Sequence, residues 1–230
     1  MEDLLFKDIM VSSIFYLSDY KEGDLTLDTV KSLKSLYNPF IFVRSDGVYN
    51  DKIAQISNIK YMTDARRKTY NSGGLLTHRY LTLCLSLNPD LIIKIDPDTF
   101  PQKTLNIKNL PNDKITCNKT YKNIIKGGFI GYPKKIAEKI INSELLLDSK
   151  FKNEKYNYLC RSINENISSQ DLILSEVIQT LGIPTEQSNE IKIEGKYVNL
   201  THFHSVSFLH PVRSLEYRKK FRKAHNIELL

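Results

Sequence analysis

Two aspartates one residue apart, Asp96 and Asp98, are the residues of this sequence best suited to chemistry. They follow the apolar run at 91–95 directly, and Pro97 stands between them. Alternate side chains of an extended chain point the same way, and proline keeps the residue before it out of the helical region. The two carboxylates should therefore converge in an extended or turn geometry. Because carboxylate oxygens are hard ligands, the pair predicts a site for a divalent cation such as Mg²⁺ or Mn²⁺, of the kind shared with substrate phosphates.

Asp-Pro-Asp-Thr is also common in turns and helix caps, so the pair alone leaves both interpretations open. A second segment, GGFIGY at 127–132, begins with Gly127 and Gly128, whose missing side chains would let the backbone approach a ligand closely. The simpler interpretation of this segment is a tight turn. A third feature is Asp171, which stands at the head of an apolar helical pattern. There it is either a cap or first-turn carboxylate or a functional group.

Two histidines supply further candidate ligands. His202 and His204 lie two residues apart near the end of a predicted strand at 196–203, so both should face the same way. A single histidine is usually a structural hydrogen-bonding group. Two of them, in a chain whose carboxylate pair needs further ligands, favour a metal site.

Short apolar runs alternate with helical patterns along the chain, which is typical of βαβ units and a mostly parallel sheet. The predicted strands are 9–17, 41–46, 59–62, 91–95, 114–117 and 196–203, and the predicted helices are 26–36, 75–87, 133–141 and 171–181. Asp96 and Asp98 therefore lie beyond the carboxyl end of a strand, at the edge where open α/β sheets bind ligands. The polar segment 144–168 has no clear period and is either a lid over the site or a surface excursion.

Composition narrows the class of protein. A chain of 230 residues, 41% hydrophobic and 26% charged, is long enough for one α/β domain and too apolar for wholesale disorder. Its three cysteines lie far apart without a C-x-x-C spacing, which argues against a disulfide framework or a zinc site. The opening residues lack a signal-peptide pattern, and no window reaches the roughly 18 apolar residues of a membrane span. We therefore expect a cytoplasmic protein.

The net charge of +7 is concentrated in part at the C-terminus, where residues 211–230 form a basic tail. The stretch RSLEYRKKFRKAH at 213–225 interleaves basic with apolar residues and predicts an amphipathic helix. Such a helix either packs on the protein by its aromatic face or contacts an anionic surface, such as the inner face of the membrane or acidic groups of a substrate.

Taken in order, four short motifs resemble those of one enzyme family. They are K-x-D-x-D-T-F at 94–100, Gly-Gly at 127–128, an aspartate opening a helix that ends in Leu-Gly-Ile at 171–183, and Phe-His-Ser at 203–205. This order resembles the nucleotide-sugar glycosyltransferases of the GT-A fold, and it is most similar to the fringe and core-1 type β1,3-glycosyltransferases. The resemblance implies a Rossmann-like GT-A domain at 1–210, with a nucleotide-binding half at 9–100 and an acceptor half at 101–210.

The resemblance also implies the ligands of a metal ion, Mn²⁺ or Mg²⁺. Asp98 and His204 would bind it, with His202 as the alternative histidine. Asp96 would contact the ribose or hold the metal through water. The chain departs from the nearest relatives at Pro97, where they carry another acid, and this lowers the negative charge of the site.

Further implied roles concern the donor and the reaction. Asp171 would be the catalytic base, although Gln170 stands where an acid commonly precedes that base. Asp46 would touch the nucleobase, and Arg79 or Arg66 would reach the ribose or the diphosphate. Gly127 and Gly128 would line the donor site.

The implied activity is metal-dependent transfer of a sugar from a nucleoside diphosphate, UDP above all, to a hydroxyl of a glycan or glycoconjugate. A base at Asp171 implies inversion of configuration. The Gln-Asp-Leu sequence also resembles retaining GT-A enzymes, so retention is an alternative. Two other classes compete: a haloacid-dehalogenase-like phosphatase, which also places D-x-D after a hydrophobic strand, and a basic nucleic-acid-binding module. The latter lacks a recognition motif, so we expect no nucleic-acid partner.

Overall fold

Strands and helices alternate along most of the chain. The computed structural model describes residues 13–19, 23–45, 50–63, 73–119, 123–152, 169–193 and 206–229. The described strands are β1 (Ser13–Asp19), β2 (Phe40–Ser45), β3 (Ile59–Thr63), β4 (Leu91–Ile95), β5 (Phe100–Pro101), β6 (Ile115–Lys119), β7 (Ile125–Pro133), β8 (Thr185–Glu186), β9 (Ile191–Ile193) and β10 (Phe208–His210). The described α-helices are α1 (Gly23–Tyr37), α2 (Asp51–Ala54), α3 (Gly73–Leu85), α4 (Lys134–Asn142), α5 (Ser169–Thr180) and α6 (Leu215–Ala224). Short 3₁₀ helices cover Ile107–Asn109, Leu145–Leu147 and Ser149–Lys152.

Seven of these strands form a mixed sheet in the order β3-β2-β1-β4-β7-β6-β8, and β5, β10 and β9 form a small second sheet. β1 pairs in parallel with both β2 and β4, and β2 pairs in parallel with β3. β7 runs antiparallel to its neighbours β4 and β6. The predicted α/β class is confirmed as a single domain with a mostly parallel, mixed sheet flanked by helices.

Side-chain alternation along the central strands produces two separate cores. Phe15 and Ile93 belong to the core beneath α1 and α2, whereas Tyr16 and Ile92 belong to the core beneath α3, α4 and α5. Successive residues of a strand point to opposite faces, so Lys94 continues the second series. Its buried side chain therefore enters the α3–α5 face of the sheet near the end of β4.

The predicted elements at 26–36, 41–46, 59–62, 75–87, 91–95, 114–117, 133–141 and 171–181 overlap observed helices or strands of the same type. The tight turn considered for the glycine-rich segment 127–132 is wrong, since this segment is the interior of the buried strand β7. Glycine weakens a strand pattern, which is why periodicity failed there. The predicted closing strand at 196–203 lies outside the described residues.

Part of the segment 144–168, for which the sequence left open a lid or a surface excursion, is described, and it packs on the core at Leu146. Leu146 is fully buried, and a Cβ added to Gly74 of α3 would lie 2.3 Å from the carbonyl oxygen of Leu146. Leu146 therefore packs into the body of the domain, whereas Ser149 and Lys150 are exposed. Residues 153–168 lie outside the described part of the chain.

The basic C-terminal stretch contains α6, which packs on the domain by its aromatic face. Phe221 is buried in a third core cluster with Phe100 and Leu209, and its ring meets that of Phe100 edge-on at 5.5 Å. Two of its arginines, Arg218 and Arg222, are buried as well. In the described part of the chain, none of the helices has the length and apolarity needed to cross a bilayer.

Candidate metal centre

The Asp96–Asp98 pair lies in a tight turn at the end of β4. The amide of Thr99 donates to the carbonyl oxygen of Asp96 over 2.9 Å, and Pro97 occupies the turn position where proline is favoured. The hydroxyl of Thr99 donates to the carbonyl oxygen of Gly128 over 2.6 Å, which fixes the turn to β7. A hydrogen-bonded turn therefore sets the directions of the two carboxylates.

The third candidate ligand, His210, comes from near the other end of the chain. β10 pairs antiparallel with β5, with Leu209 opposite Phe100, so the next residue of β10 arrives beside the turn. Its Nε2 lies 2.9 Å from Oδ1 of Asp98 and 3.6 Å from Oδ2 of Asp96. One ligand atom from each of these three side chains lies within 4.8 Å of the other two.

This donor set is chemically suited to a divalent cation. Carboxylate oxygens are the usual protein ligands of Mg²⁺ and Mn²⁺, and a neutral imidazole nitrogen adds a ligand that transition metals accept. Nδ1 of His210 is buried and has no hydrogen-bond partner among the described residues, which leaves Nε2 as the ring nitrogen directed at the carboxylates. The cluster of Asp96, Asp98 and His210 could therefore hold a metal ion.

Asp98 is prepared for this role by its surroundings. Its side chain is only 9% exposed, and Nε of the exposed Arg213 lies 3.0 Å from its Oδ2. Burial alone would raise the pKa of the Asp98 carboxyl, but hydrogen bonds and charge from His210 and Arg213 outweigh it and hold that pKa well below its usual range. The carboxylate is therefore ionised throughout the physiological range, as a metal ligand must be.

The contacts of Lys94 explain why this charged residue interrupts the apolar strand β4. Its side chain is 6% exposed, and its Nζ bonds to Oδ1 of Asp96 and donates to the carbonyl oxygen of Gly127 over 2.5 Å. With Oδ1 occupied in this way, Oδ2 is the oxygen of Asp96 that faces His210. Lys94 belongs to the motif recognised in the sequence, but its positioning role was not predicted.

Protein side chains fill the room that the glycines of β7 leave. A Cβ added to Gly128 would lie 2.5 Å from Cγ of His210, and one added to Gly127 would lie 2.7 Å from Oδ1 of Asp171 and 2.9 Å from Nζ of Lys94. A Cβ atom essentially never lies this close to a non-bonded atom, so something would have to shift. Both glycines therefore leave room for these side chains beside the strand, and the predicted close approach of a ligand stays a prediction.

Asp171 lies in the first turn of α5 and is half-buried. The hydroxyl of Ser175 donates to the carbonyl oxygen of Asp171 over 2.6 Å and accepts from the amide of Ile125 over 2.8 Å, so the start of α5 is bonded to β7. The carboxylate of Asp171 lies beside Gly127, on the same face of the sheet as Lys94. The structure thus brings Asp171 to the Gly127 position that Lys94, the partner of Asp96, also approaches.

A cavity of about 300 Å³ lies on the same face of the sheet, between the central strands and α3. Tyr16 and Tyr80 line it with stacked rings 4.5 Å apart, and Arg44 and Arg79 add two positive charges. Tyr16 pairs with Lys94 across the β1–β4 ladder, so one lining residue of the cavity is the sheet neighbour of the lysine that contacts Asp96. Arg79, predicted to reach a ribose or diphosphate, is part of this lining.

Four predicted site residues lie outside the described residues: Asp46, Arg66, His202 and His204. Asp46 directly follows the last residue of β2. Among the described residues, the histidine that reaches the aspartates is His210, which sequence reasoning missed. His210 ends a short apolar run and precedes a proline, as Asp96 does. This shared pattern is the signal in the sequence that could have marked His210 as a candidate ligand.

No model of a known protein family matches this chain, and no curated protein matches its sequence.

Proposed function

We propose that this protein is a metal-dependent glycosyltransferase of the GT-A type, which transfers a sugar from a nucleoside diphosphate to a hydroxyl of a glycan or glycoconjugate. The observation that carries the proposal is the meeting of Asp96, Asp98 and His210 at the carboxyl edge of the sheet. Asp171 lies at Gly127, where it and Lys94 would both meet an added Cβ. The motif order in the sequence supports the same activity. The donor is a UDP-sugar, as in the family that the motifs resemble.

In this proposal Asp98, Asp96 and His210 hold Mn²⁺ or Mg²⁺, and His204 remains a further candidate ligand. Bound there, the ion would neutralise the negative charge that develops on the departing diphosphate. Lys94 keeps Asp96 oriented toward the centre through its bonds to Oδ1 and to Gly127. Arg213, held at Asp98, adds a positive charge at the exposed side of the site.

Asp171 is the proposed general base. Its carboxylate is half-buried at the amino end of a helix and lies on the face of the sheet that also carries the cavity. An acceptor hydroxyl within about 3 Å of it would give up its proton as the oxygen attacks the anomeric carbon. Attack from the side opposite the diphosphate gives inversion, so the anomeric configuration of the product reports on this assignment.

The cavity beside α3 is the proposed place of the donor nucleotide. Aromatic rings can stack on a base, and arginine side chains pair with phosphate or ribose oxygens. Tyr16, Tyr80 and Arg79 provide these groups in the cavity, and Tyr16 pairs with Lys94 in the sheet. Asp46, which follows β2, keeps its predicted contact with the nucleobase.

The test is a screen of nucleotide sugars for metal-dependent release of nucleoside diphosphate, combined with thermal unfolding. A glycosyltransferase is stabilised by UDP in the presence of Mn²⁺ or Mg²⁺ and much less by either alone. Hydrolysis of a generic phosphoester without sugar transfer would identify a phosphatase. Salt-dependent binding of oligonucleotides with no response to UDP would identify a nucleic-acid binder.

A further inference from the structure

We propose that α6 is an internal clamp on the candidate metal centre and that Arg218 is its positioning residue. The role of the clamp rests on the proposed function, because what it holds in place is the turn that carries Asp96 and Asp98. Arg218 itself touches neither the candidate ligand atoms nor the cavity. Its contacts all go to the backbone and side chains that support them.

One guanidinium joins three segments of the chain. Arg218 is fully buried. Its Nε donates to the carbonyl oxygen of Val212 over 3.0 Å, and its Nη2 lies 3.4 Å from the carbonyl oxygen of Pro97. Its Nη1 donates to Thr29 Oγ1 over 2.8 Å and to Asp28 Oδ2 over 3.1 Å. The metal-binding turn, the segment after His210 and helix α1 therefore share one partner.

The same turn receives further hydrogen bonds from these segments, one of them from Thr29 Oγ1 to the carbonyl oxygen of Thr99 over 3.2 Å. The hydroxyl of Thr29 donates to the carbonyl oxygen of Pro97 over 2.7 Å. The amide of Val212 donates to the carbonyl oxygen of Asp98 over 2.7 Å. The bond from Val212 ties the turn directly to the strand end that carries His210, so the relative position of the candidate ligands depends on these contacts.

The charges of the clamp are balanced inside the protein. Asp28 accepts from Arg218 and also from Arg222, whose Nη2 lies 2.5 Å from its Oδ1. Both guanidinium carbons lie over the ring of Phe100, at 5.1 and 5.6 Å from its centroid. Burying a guanidinium costs free energy unless it is paired with a charge. Even when it is paired, apolar side chains of similar volume often stabilise a fold equally well. An apolar residue at position 218 could not, however, donate directional hydrogen bonds to the turn.

The basic residues of α6 therefore fall into a buried group and an exposed group. Arg218 and Arg222 act inside the protein, whereas Lys219, Lys220 and Lys223 lie on the exposed side of the helix. This division provides a matched control. Lys219→Met removes a positive charge from the same helix without touching the turn, whereas Arg218→Met removes the clamp.

The experiment compares hydrogen exchange in the full-length wild type, Arg218→Met, Thr29→Val and Lys219→Met. The reporting amides are those of Thr99 and Val212, which donate to Asp96 and Asp98. We expect these two amides to exchange at least about tenfold faster in Arg218→Met and Thr29→Val than in the wild type, and at the wild-type rate in Lys219→Met. Amides of β1 and β2 should keep their wild-type rates in all variants.

Unchanged exchange at Thr99 and Val212 in the clamp variants would overturn the proposal. An equal increase in β1 and β2 would do the same, because it would show general destabilisation rather than loosening of the turn. If Arg218→Met does not fold, Thr29→Val decides the outcome alone, since it leaves the buried charges of Asp28 and Arg218 in place.

Titration with Mn²⁺ separates this proposal from the proposed function. If the wild type binds the ion, Arg218→Met should bind it about tenfold more weakly or worse, while Lys219→Met binds as the wild type does. Faster exchange at the turn with no Mn²⁺ binding by the wild type would leave the clamp standing and remove the metal centre. Exchange at the wild-type rate in the clamp variants, together with unimpaired Mn²⁺ binding, would leave the metal centre standing and remove the clamp.

Discussion

At Asp98, burial and charge act in opposite directions on one carboxyl group. Burial favours the neutral acid, and the hydrogen bonds from His210 and Arg213 favour the carboxylate more strongly. The native state therefore binds a proton at Asp98 less readily than the unfolded chain does. A carboxyl group of this kind stabilises the fold above its unfolded pKa, and this contribution is lost as the pH falls toward the folded pKa.

We therefore predict that the wild type loses stability as the pH falls below about 4, the ordinary pKa of an aspartate, and that Asp98→Asn shows a flatter response there. Urea denaturation between about pH 2 and pH 6 measures this difference. Identical pH profiles would show that Asp98 is not held ionised by its neighbours.

The role of Asp171 is also a question at the scale of one residue. Asp171→Asn keeps the size of the side chain and removes its capacity to accept a proton, so sugar transfer should fall by about 10²- to 10⁴-fold. Stabilisation by UDP and Mn²⁺ should persist. Glu176→Gln, on the same helix but paired with the exposed Lys150, is the control and should retain activity. Normal transfer by Asp171→Asn would remove this residue from the role of base.

At the scale of elements, β7 is the strand whose glycines leave room for His210, Asp171 and Lys94. Gly128 and Gly131 lie on the same strand but face different neighbours. A Cβ at Gly128 would clash with the ring of His210, whereas one at Gly131 would lie 3.4 Å from Cβ of Thr116, an ordinary contact. The two positions therefore separate the effect of a displaced histidine from the effect of adding a methyl group to the strand.

We predict that Gly128→Ala lowers the free energy of unfolding by about 1–3 kcal/mol and weakens Mn²⁺ binding, because His210 must move. Gly131→Ala should change stability by less than about 1 kcal/mol and leave binding intact. Chemical denaturation and metal titration of both variants measure the difference. Equal effects at the two positions would contradict the assignment of His210 as a ligand.

At the scale of the whole molecule, the C-terminal segment is part of the fold. Removing residues 213–230 would take both arginines from the buried Asp28 and uncover Phe100. An unpaired buried charge typically costs about 3–5 kcal/mol, so we predict that this truncated chain is severely destabilised or does not fold. Circular dichroism during thermal unfolding tests this.

A shorter truncation, lacking only 228–230, is the control and should unfold at close to the wild-type temperature. Equal stability of the long truncation would mean that the basic tail is an independent appendage. Contact of the tail with an anionic membrane stays a prediction, and Lys219, Lys220 and Lys223 are the exposed charges through which it would occur.

Much of this protein could be read from its sequence because the informative signals are local. Apolar periodicity marks β2, β4, α3 and α5 where the structure has them, since burial of one face dictates the pattern within each element. The pair Asp96 and Asp98 was predicted from its place after β4, because the end of a strand in an open sheet is set by the strand itself.

What only the tertiary structure decided depends on contacts between distant parts of the chain. The pairing of β10 with β5 selects His210 as the partner of Asp98, and no periodicity encodes which strands pair. The glycines of β7 and the buried Arg218 gain their roles only from the side chains that pack against them. A local pattern reports how a segment buries its own face, but it does not report which segment lies opposite.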